Sequence, residues 1–157
     1  MPFGLLLGKL IPYLGIAFFE LCLILSLMCT VFRVPIHGSV WLLACLSVPY
    51  IFVSLSLGIL ISSRANSQPE AMQLSFVAIL PSVFFSGYIF PRESMPFIFH
   101  ALSYLLPATY YIDIMRGIVL RGAGLSHLWI DGVALLAMGI CSLAAAARRF
   151  ESKVIVP

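Results

Sequence analysis

The sequence predicts an all-α integral membrane protein, with four transmembrane helices and a re-entrant or interfacial helical hairpin before the last span. Three observations carry this reading. Of the 157 residues 62% are hydrophobic and 10% charged, with a mean hydropathy of +1.10, whereas a soluble domain uses about 25% charged residues to cover its surface. Four apolar runs, near 10–32, 40–61, 71–90 and 128–147, reach the roughly 20 residues that a bilayer core requires. Between the third and fourth lie two apolar segments, within 97–120, that are too short to cross. The whole chain, 1–157, therefore reads as a single transmembrane domain.

The first run, Leu10 to Phe32, carries one charge, Glu20. The apolar stretch at the N-terminus is longer than the roughly 7–15 residue core of a signal peptide and has no small-residue cleavage site, so it is expected to stay as a span. Arg33 to Ser39 is a tight polar turn. The second run, Val40 to Ile61, has no charge, and Pro49 is expected to kink it. Ser54, Gly58 and Ser62 recur every four residues, a spacing that clears one helix face for a neighbouring helix. A polar loop from Ser62 to Glu70 contains Arg64, and Pro69 suits the first turn of the third run, Ala71 to Phe90. Gln73, Pro81 and Gly87 interrupt that run, which is expected to bend or unwind in its outer half.

The hairpin is drawn by its punctuation. Pro91 ends the third run; Pro96 and Pro107 fit first turns, where a missing amide hydrogen costs nothing; Gly122 and Gly124 stop the second arm. FIFHALSYLL (97–106) and ATYYIDIMRGIVL (108–120) are the arms. Asp113 and Arg116, three residues apart, share a helical face and are expected to pair. Tyr104, Tyr110 and Tyr111 supply rings suited to the headgroup layer. Ser126 is the expected N-cap of the last span, Leu128 to Ala147, with Asp131 in its first turn. Gly139, Ser142 and Ala144 to Ala147 mark it as a small-residue packing helix.

Several function classes find no support. A net charge of +3, from 9 Lys and Arg against 6 Asp and Glu, is too small and scattered for a nucleic-acid surface. Cys22, Cys29, Cys45 and Cys141 lie in apolar runs with no CxxC, so they read as small buried hydrophobes rather than disulfide or zinc cysteines. His37, His100 and His127 fall outside the predicted spans, and no HExxH is present. Gly4, Gly8 and Lys9 resemble a phosphate loop only superficially, because three residues rather than four separate the glycines and Leu10 follows the lysine. No metal or cofactor is expected, and no capacity to hydrolyse ATP.

The run SGYIFPRESMP, then LSYLLPATYYIDIMRGIVLRGAG, then a tryptophan-led last span resembles the C-terminal part of bacterial ABC-2 type permeases, the membrane subunits of drug and polysaccharide exporters. The likeness extends through LLLGKLIPYL (5–14) and SSRANSQPEAMQLS (62–75). It implies a plasma (inner) membrane exporter of two permease halves, as a homo- or heterodimer in membrane lipid, with cytoplasmic ATPase subunits encoded elsewhere. It also implies that this chain corresponds to the permease from the third of six spans onward, either as a C-terminal fragment or as a short product working beside the missing half.

Four spans place both termini on one side. Lys9, Arg64, Arg148, Arg149 and Lys153 then face Arg33, Arg92, Arg116 and Arg121 across the membrane, which favours cytoplasmic termini; the resemblance implies the same. Lys9, Arg64 and Glu70 become candidates to face the ATPase. Candidates for the transport path or its gate are Glu20, Gln73, Pro81, Gly87, Asp113 and Arg116, since broken helices and intramembrane charges are where transporters place working groups. Glu20, about 15 Å into its span at 1.5 Å per residue, is expected to face the bundle interior, with Gln73 as one possible partner. Two other classes stay open: a membrane-embedded enzyme, which requires Glu20, Asp113, Asp131 and the histidines to converge, and a structural or regulatory membrane subunit.

Overall fold

The computed structural model describes residues 2–154 and is helical throughout, with no strand among the described residues. The helices are α1 (Pro2–Thr30), α2 (Val40–Arg64), α3 (Gln68–Phe85), α4 (Phe97–Ser103), α5 (Pro107–Arg121) and α6 (Leu125–Val154), with a short 3-10 turn at Arg92–Ser94. Three of them are long and apolar enough to cross a membrane: α1 over Gly8–Thr30, α2 over Val40–Arg64 and α6 over Leu125–Arg149. The third predicted run forms an 18-residue helix, α3, whose opening turns carry Gln68, Glu70 and Gln73.

Helix ends depart from expectation for local reasons. α1 closes at Thr30, and Arg33 takes a left-handed conformation (φ 46°) in the turn that follows. α2 runs to Arg64, so the polar loop contracts to residues 65–67. The side chain of Ser67 accepts from the Glu70 amide and the Glu70 carboxylate accepts from the Asn66 amide at 2.8 Å. Such reciprocal capping fixes the start of α3 three residues before the predicted one. α3 stops at Phe85, short of Pro91, because Gly87 sits at φ 90°. α6 begins at Leu125, so Ser126 lies within its first turn rather than at its N-cap, with its hydroxyl 3.2 Å from His127 Nδ1. Pro107 does open α5, and Gly122 (φ 60°) ends it. Lys153 belongs to α6, but its side chain lies outside the described residues.

α2 and α6 form the central seam. A Cβ on Gly139 would fall 2.6 Å from the Phe52 ring, and one on Gly132 would fall 3.1 Å from Leu46. These pairings advance together along both helices, so α2 and α6 run parallel. Leu43, Val53, Ile114, Ile118 and Leu135 are fully buried around that seam. Lipid chains are as apolar as leucine, so the gain here comes from close packing rather than from escape from water. The small-residue reading of α6 holds in part: Gly139 meets α2 and Ala146 and Ala147 are buried, whereas Ala145 is exposed, and Gly132, which the reading did not name, also meets α2.

The small stripe on α2 behaves otherwise. Ser54, Gly58 and Ser62 are exposed, and no atom lies within 4 Å of a Cβ built on Gly58. The serines that α2 buries are Ser47, Ser56 and Ser63. Ser47 and Ser56 donate to the carbonyls of Leu43 and Phe52 in their own helix, at 2.7 and 2.8 Å. The cysteines also differ from expectation. All four are free thiols exposed on the outer faces of helices, a surface that accepts a small apolar side chain as readily as an interior does when the solvent is lipid.

Candidate functional site: a serine-lined groove meeting a charged cavity

α2 and α3, joined by a short capped turn, lie side by side and enclose a groove of about 560 Å³ with the start of α5. Its α2 wall carries Tyr50, Ser54 and Gly58, and its α3 wall Ser75 and Ser82, with Ser86 just past the end of that helix. Ser54 and Gly58 of the open stripe on α2 thus face a cavity instead of a neighbouring helix, and Ser62 lies outside its lining. Ser75 and Ser82 donate to Ala71 and Ala78 carbonyls, so each hydroxyl oxygen still offers lone pairs to a guest.

At one end of the groove the rings of Tyr50 and Tyr111 stack at 4.2 Å and 7°. Ser47 spends its only hydroxyl proton on Leu43 O, so across the 2.9 Å between Ser47 Oγ and Tyr111 Oη the tyrosine is the donor. Tyr50 lies ten residues into α2, about 15 Å along the helix. The first turns of α5 therefore sit deep within the bundle, alongside α2. Tyr111 is not at the outer edge where an interfacial ring was expected.

The chain turns twice to achieve this. From Gly87, at the end of the bundle where α6 begins, it passes through Arg92 and descends in α4, then reverses at residues 103–109 and climbs back in α5. Thr109 Oγ1 donates to Ser103 O at 2.6 Å and the Tyr110 hydroxyl to Tyr104 O at 2.9 Å, closing the reversal. Phe85 of α3 stacks on Phe99 of α4 at 4.9 Å. Ile114, Ile118 and Val119 bury the other face of α5 in the core shared with α2 and α6.

Above the groove lies a second, more polar cavity of about 810 Å³, lined by charges of both signs. Arg92, Arg116 and Arg121 stand with Glu93, Asp113 and Asp131, and His127 is beside them. Ser86 lines both cavities, so they meet where α3 ends. Among the described residues no group of His, Cys, Asp and Glu is arranged to hold a metal.

The expected Asp113–Arg116 pair does not form. Asp113 takes Arg92 instead, at 2.7 Å, while Arg116 Nη2 donates to the carbonyl of Gly87 at 2.8 Å. That carbonyl is available because Gly87, at positive φ, ends the helical hydrogen-bond series. A Cβ there would also lie 3.1 Å from Arg92 Cγ. The Arg92 guanidinium sits 5.5 Å from the Tyr104 ring centroid. Its Nη1 is buried without a hydrogen-bond partner among the described residues.

Of the residues the sequence singled out, Gly87, Asp113 and Arg116 therefore come together. Pro81 lies inside α3, about one turn before the helix ends at Phe85. Gln73 is exposed near the far end of α3, and Glu20 is exposed midway along α1. Contrary to expectation, Glu20 faces out of the bundle and makes no hydrogen bond to Gln73. Lys9 and Arg64 are exposed, and Glu70 is held in its cap. The enzyme reading required Glu20 to join Asp113, Asp131 and the histidines; of these only Asp113, Asp131 and His127 line the charged cavity. Sequence reasoning missed Arg92, Ser47 and Tyr50 as structural partners. Arg92 follows a proline in a segment without periodicity, and nothing in spacing links it to a residue 21 positions away.

Comparison with known proteins points in one direction. The family model described as ABC-2 type transporter matches residues 2–120. The chain is 37% identical over 121 residues to the probable multidrug ABC transporter permease YbhS of Escherichia coli K12, covering 75% of this chain and 32% of that protein. It is 31% identical over 149 residues to the probable multidrug ABC transporter permease YbhR of the same organism, covering 95% of this chain and 40% of that one. ABC transporter G family member 20 of Dictyostelium discoideum is 31% identical over 135 residues, or 85% of this chain and 18% of its own length. The chain thus spans well under half the length of these relatives. No solved structure matches it.

Proposed function

This chain belongs to the ABC-2 type transporter family and is a multi-pass membrane protein, and from that premise we propose that it forms part of the translocation path of an ATP-driven exporter. The observation that carries the proposal is the junction at Ser86. A weakly polar, serine-studded groove between α2, α3 and α5 meets a charged cavity at the end of the bundle. An amphipathic molecule can rest its apolar body against the groove and leave through a wetter vestibule. The relatives named as multidrug permeases suit a lining of this kind.

In this reading α3 also crosses the membrane, third in chain order, which brings the spans to four. It starts where α2 ends and finishes beside the head of α6, and about 27 Å of helix, at 1.5 Å per residue, carries the chain between the two ends. Helices α4 and α5 form a re-entrant hairpin whose reversal lies inside the membrane, because each arm is shorter than the hydrocarbon core and α5 packs along α2. Non-helical backbone is tolerated at that depth where protein buries it or it lines a cavity. The termini, with Lys9, Arg64 and Arg148, face the cytoplasm, and the charged cavity opens outward. In that orientation the capped turn between α2 and α3, with Arg64 and Glu70, meets a separate ATPase subunit. A second permease half completes the path, in the plasma (inner) membrane of a bacterial cell.

The test is transport. Inverted membrane vesicles holding the chain, its other permease half and its ATPase should accumulate an amphipathic cationic dye when ATP is added. A phenylalanine at Gly58, projecting into the groove, should abolish this while leaving the ATPase bound. Undiminished uptake in that variant would remove the groove from the path, and failure of any ATPase to co-purify would remove the exporter reading.

A further inference from the structure

Glu20 occupies the middle of α1, within the segment Gly8–Thr30 that is long and apolar enough to cross a membrane. α1 meets the rest of the chain through Leu10, Leu21 and Leu25, which are buried against the bundle. Glu20 projects about a quarter-turn away from that row. Its neighbours along the same face are Tyr13, Ile16, Leu23, Ile24 and Leu27, every one of them exposed. A carboxylate therefore stands in the centre of an uncovered apolar strip about 20 Å long, at the depth where hydrocarbon is thickest. It has no hydrogen-bond or ion-pair partner among the described residues.

Lipid is a poor occupant for such a strip. An ionisable side chain at mid-membrane almost always meets a protein partner or a watered cavity, because acyl chains offer it no hydrogen bond. Neither described cavity at the groove reaches Glu20. The relatives extend far beyond the region this chain matches, since it covers 32% and 40% of the two bacterial permeases. Additional chain is thus available in proteins of this kind to cover the strip.

We propose that the Tyr13–Leu27 face of α1 is the seam against a membrane helix of the permease half that the relatives carry outside the region this chain matches, not of a second copy of this chain, and that this helix presents a hydrogen-bond-donating side chain, cationic or amide, to Glu20. The inference rests on the reading of the chain as one part of a larger permease. The apolar residues supply packing area, and Glu20 sets the register, since one donor at one depth satisfies it. A single polar contact within an apolar helix pair specifies alignment more than strength.

A photo-reactive amino acid at Leu23, one turn from Glu20, tests this in membranes that hold the assembled permease. The expected adduct is a transmembrane peptide of the other half with Lys, Arg, His, Asn or Gln within one turn of the attachment point. Glu20→Gln should retain that adduct, because an amide still accepts and donates, whereas Glu20→Leu should reduce it about tenfold or more, a loss of one hydrogen bond to a charged group. A lipid adduct only, an adduct to a second copy of this chain, or an undiminished adduct in Glu20→Leu would overturn the seam. Thermal unfolding of the detergent-solubilised chain should be unchanged in Glu20→Leu, which separates a lost partner from a lost fold. An intact adduct without a co-purifying ATPase removes the exporter reading alone, and an ATPase without the adduct removes the seam alone.

Discussion

Arg92 and Asp113, 21 residues apart in the chain, meet at 2.7 Å, so the segment that leaves α3 is fastened to the middle of α5. Both side chains are partly exposed, at 25% and 36%, and the second terminal guanidinium nitrogen, Nη1, is buried without a partner among the described residues. The pair thus holds the hairpin to its entrance rather than strengthening a dry core.

Asp113→Asn is expected to cost ~1–2 kcal/mol, between the value of an exposed ion pair and that of a buried one. Arg92→Gln combined with Asp113→Asn should cost less than the sum of the two single changes. A double-mutant cycle read from denaturant or thermal unfolding in detergent checks this; strict additivity would mean that the pair is incidental.

Gly87→Ala places a Cβ at φ 90°, within 3.1 Å of Arg92 Cγ. Backbone strain and crowding together should lower stability by about 1–3 kcal/mol. Arg116, which bonds the Gly87 carbonyl, should become measurably more accessible to guanidine-reactive dicarbonyl reagents in that variant.

Gly139→Ala and Gly132→Ala should differ although both are helix glycines. At Gly139 the added methyl meets the Phe52 ring at 2.6 Å and Val53 Cα at 3.4 Å, whereas at Gly132 it meets only the end of the Leu46 side chain at 3.1 Å. Overpacking against a ring wedged on backbone should cost ~1–3 kcal/mol at the first site. The second should be near neutral, because the contact is with the terminal methyl of a flexible side chain, which needs to give only a few tenths of an ångström, and alanine gains in helix propensity. Melting temperatures of the purified variants distinguish the two.

Tyr111→Phe removes the donor to Ser47 but leaves the stack on Tyr50. The expected loss is ~0.5–1.5 kcal/mol, the net value of one neutral hydrogen bond. Tyr111→Ala, which removes the ring as well, should cost several times more; equal losses would show that the stack contributes nothing.

A cysteine at Gly124, exposed at the head of α6 with no atom within 4 Å of its Cβ, should react with an impermeant maleimide from outside the cell. One at Asn66, exposed in the turn between α2 and α3, should react only from the cytoplasmic side. Labelling of both from one side would leave α3 unable to cross and would turn the bundle into a three-span one.

Much of the fold was legible because lipid imposes simple rules. Runs of twenty apolar residues had to become long helices, and Pro107 and Gly122 marked α5 to within a residue. The third run is drawn to Phe90 from Pro91, and the unwinding expected in its outer half comes at Gly87, whose positive φ follows the end of α3 at Phe85. The candidate site was only half legible. Asp113, Arg116 and Gly87 were singled out and do converge, but their partners are exchanged relative to the i, i+3 pairing that helix geometry offered. Periodicity ranks neighbours within a helix; it carries no information about a cation that arrives from a loop. Glu20 was expected to face inward on the rule that membrane charges avoid lipid. That rule concerns the finished assembly, and a single chain need not contain the surface that satisfies it.

α2 and α6 share the longest seam in the bundle, yet α2 leaves the ribosome well before α6 is made. During that interval the side of α2 that meets α6 is bare, and the helix already carries Ser47 and Ser56. Their hydroxyls are already bonded to the carbonyls of Leu43 and Phe52 one turn back, so α2 can rest in the bilayer with its polar groups satisfied by its own backbone. The same bonds leave those side chains compact when Gly132 and Gly139 finally slide alongside. The helix is prepared for a waiting period during synthesis that the completed structure no longer displays.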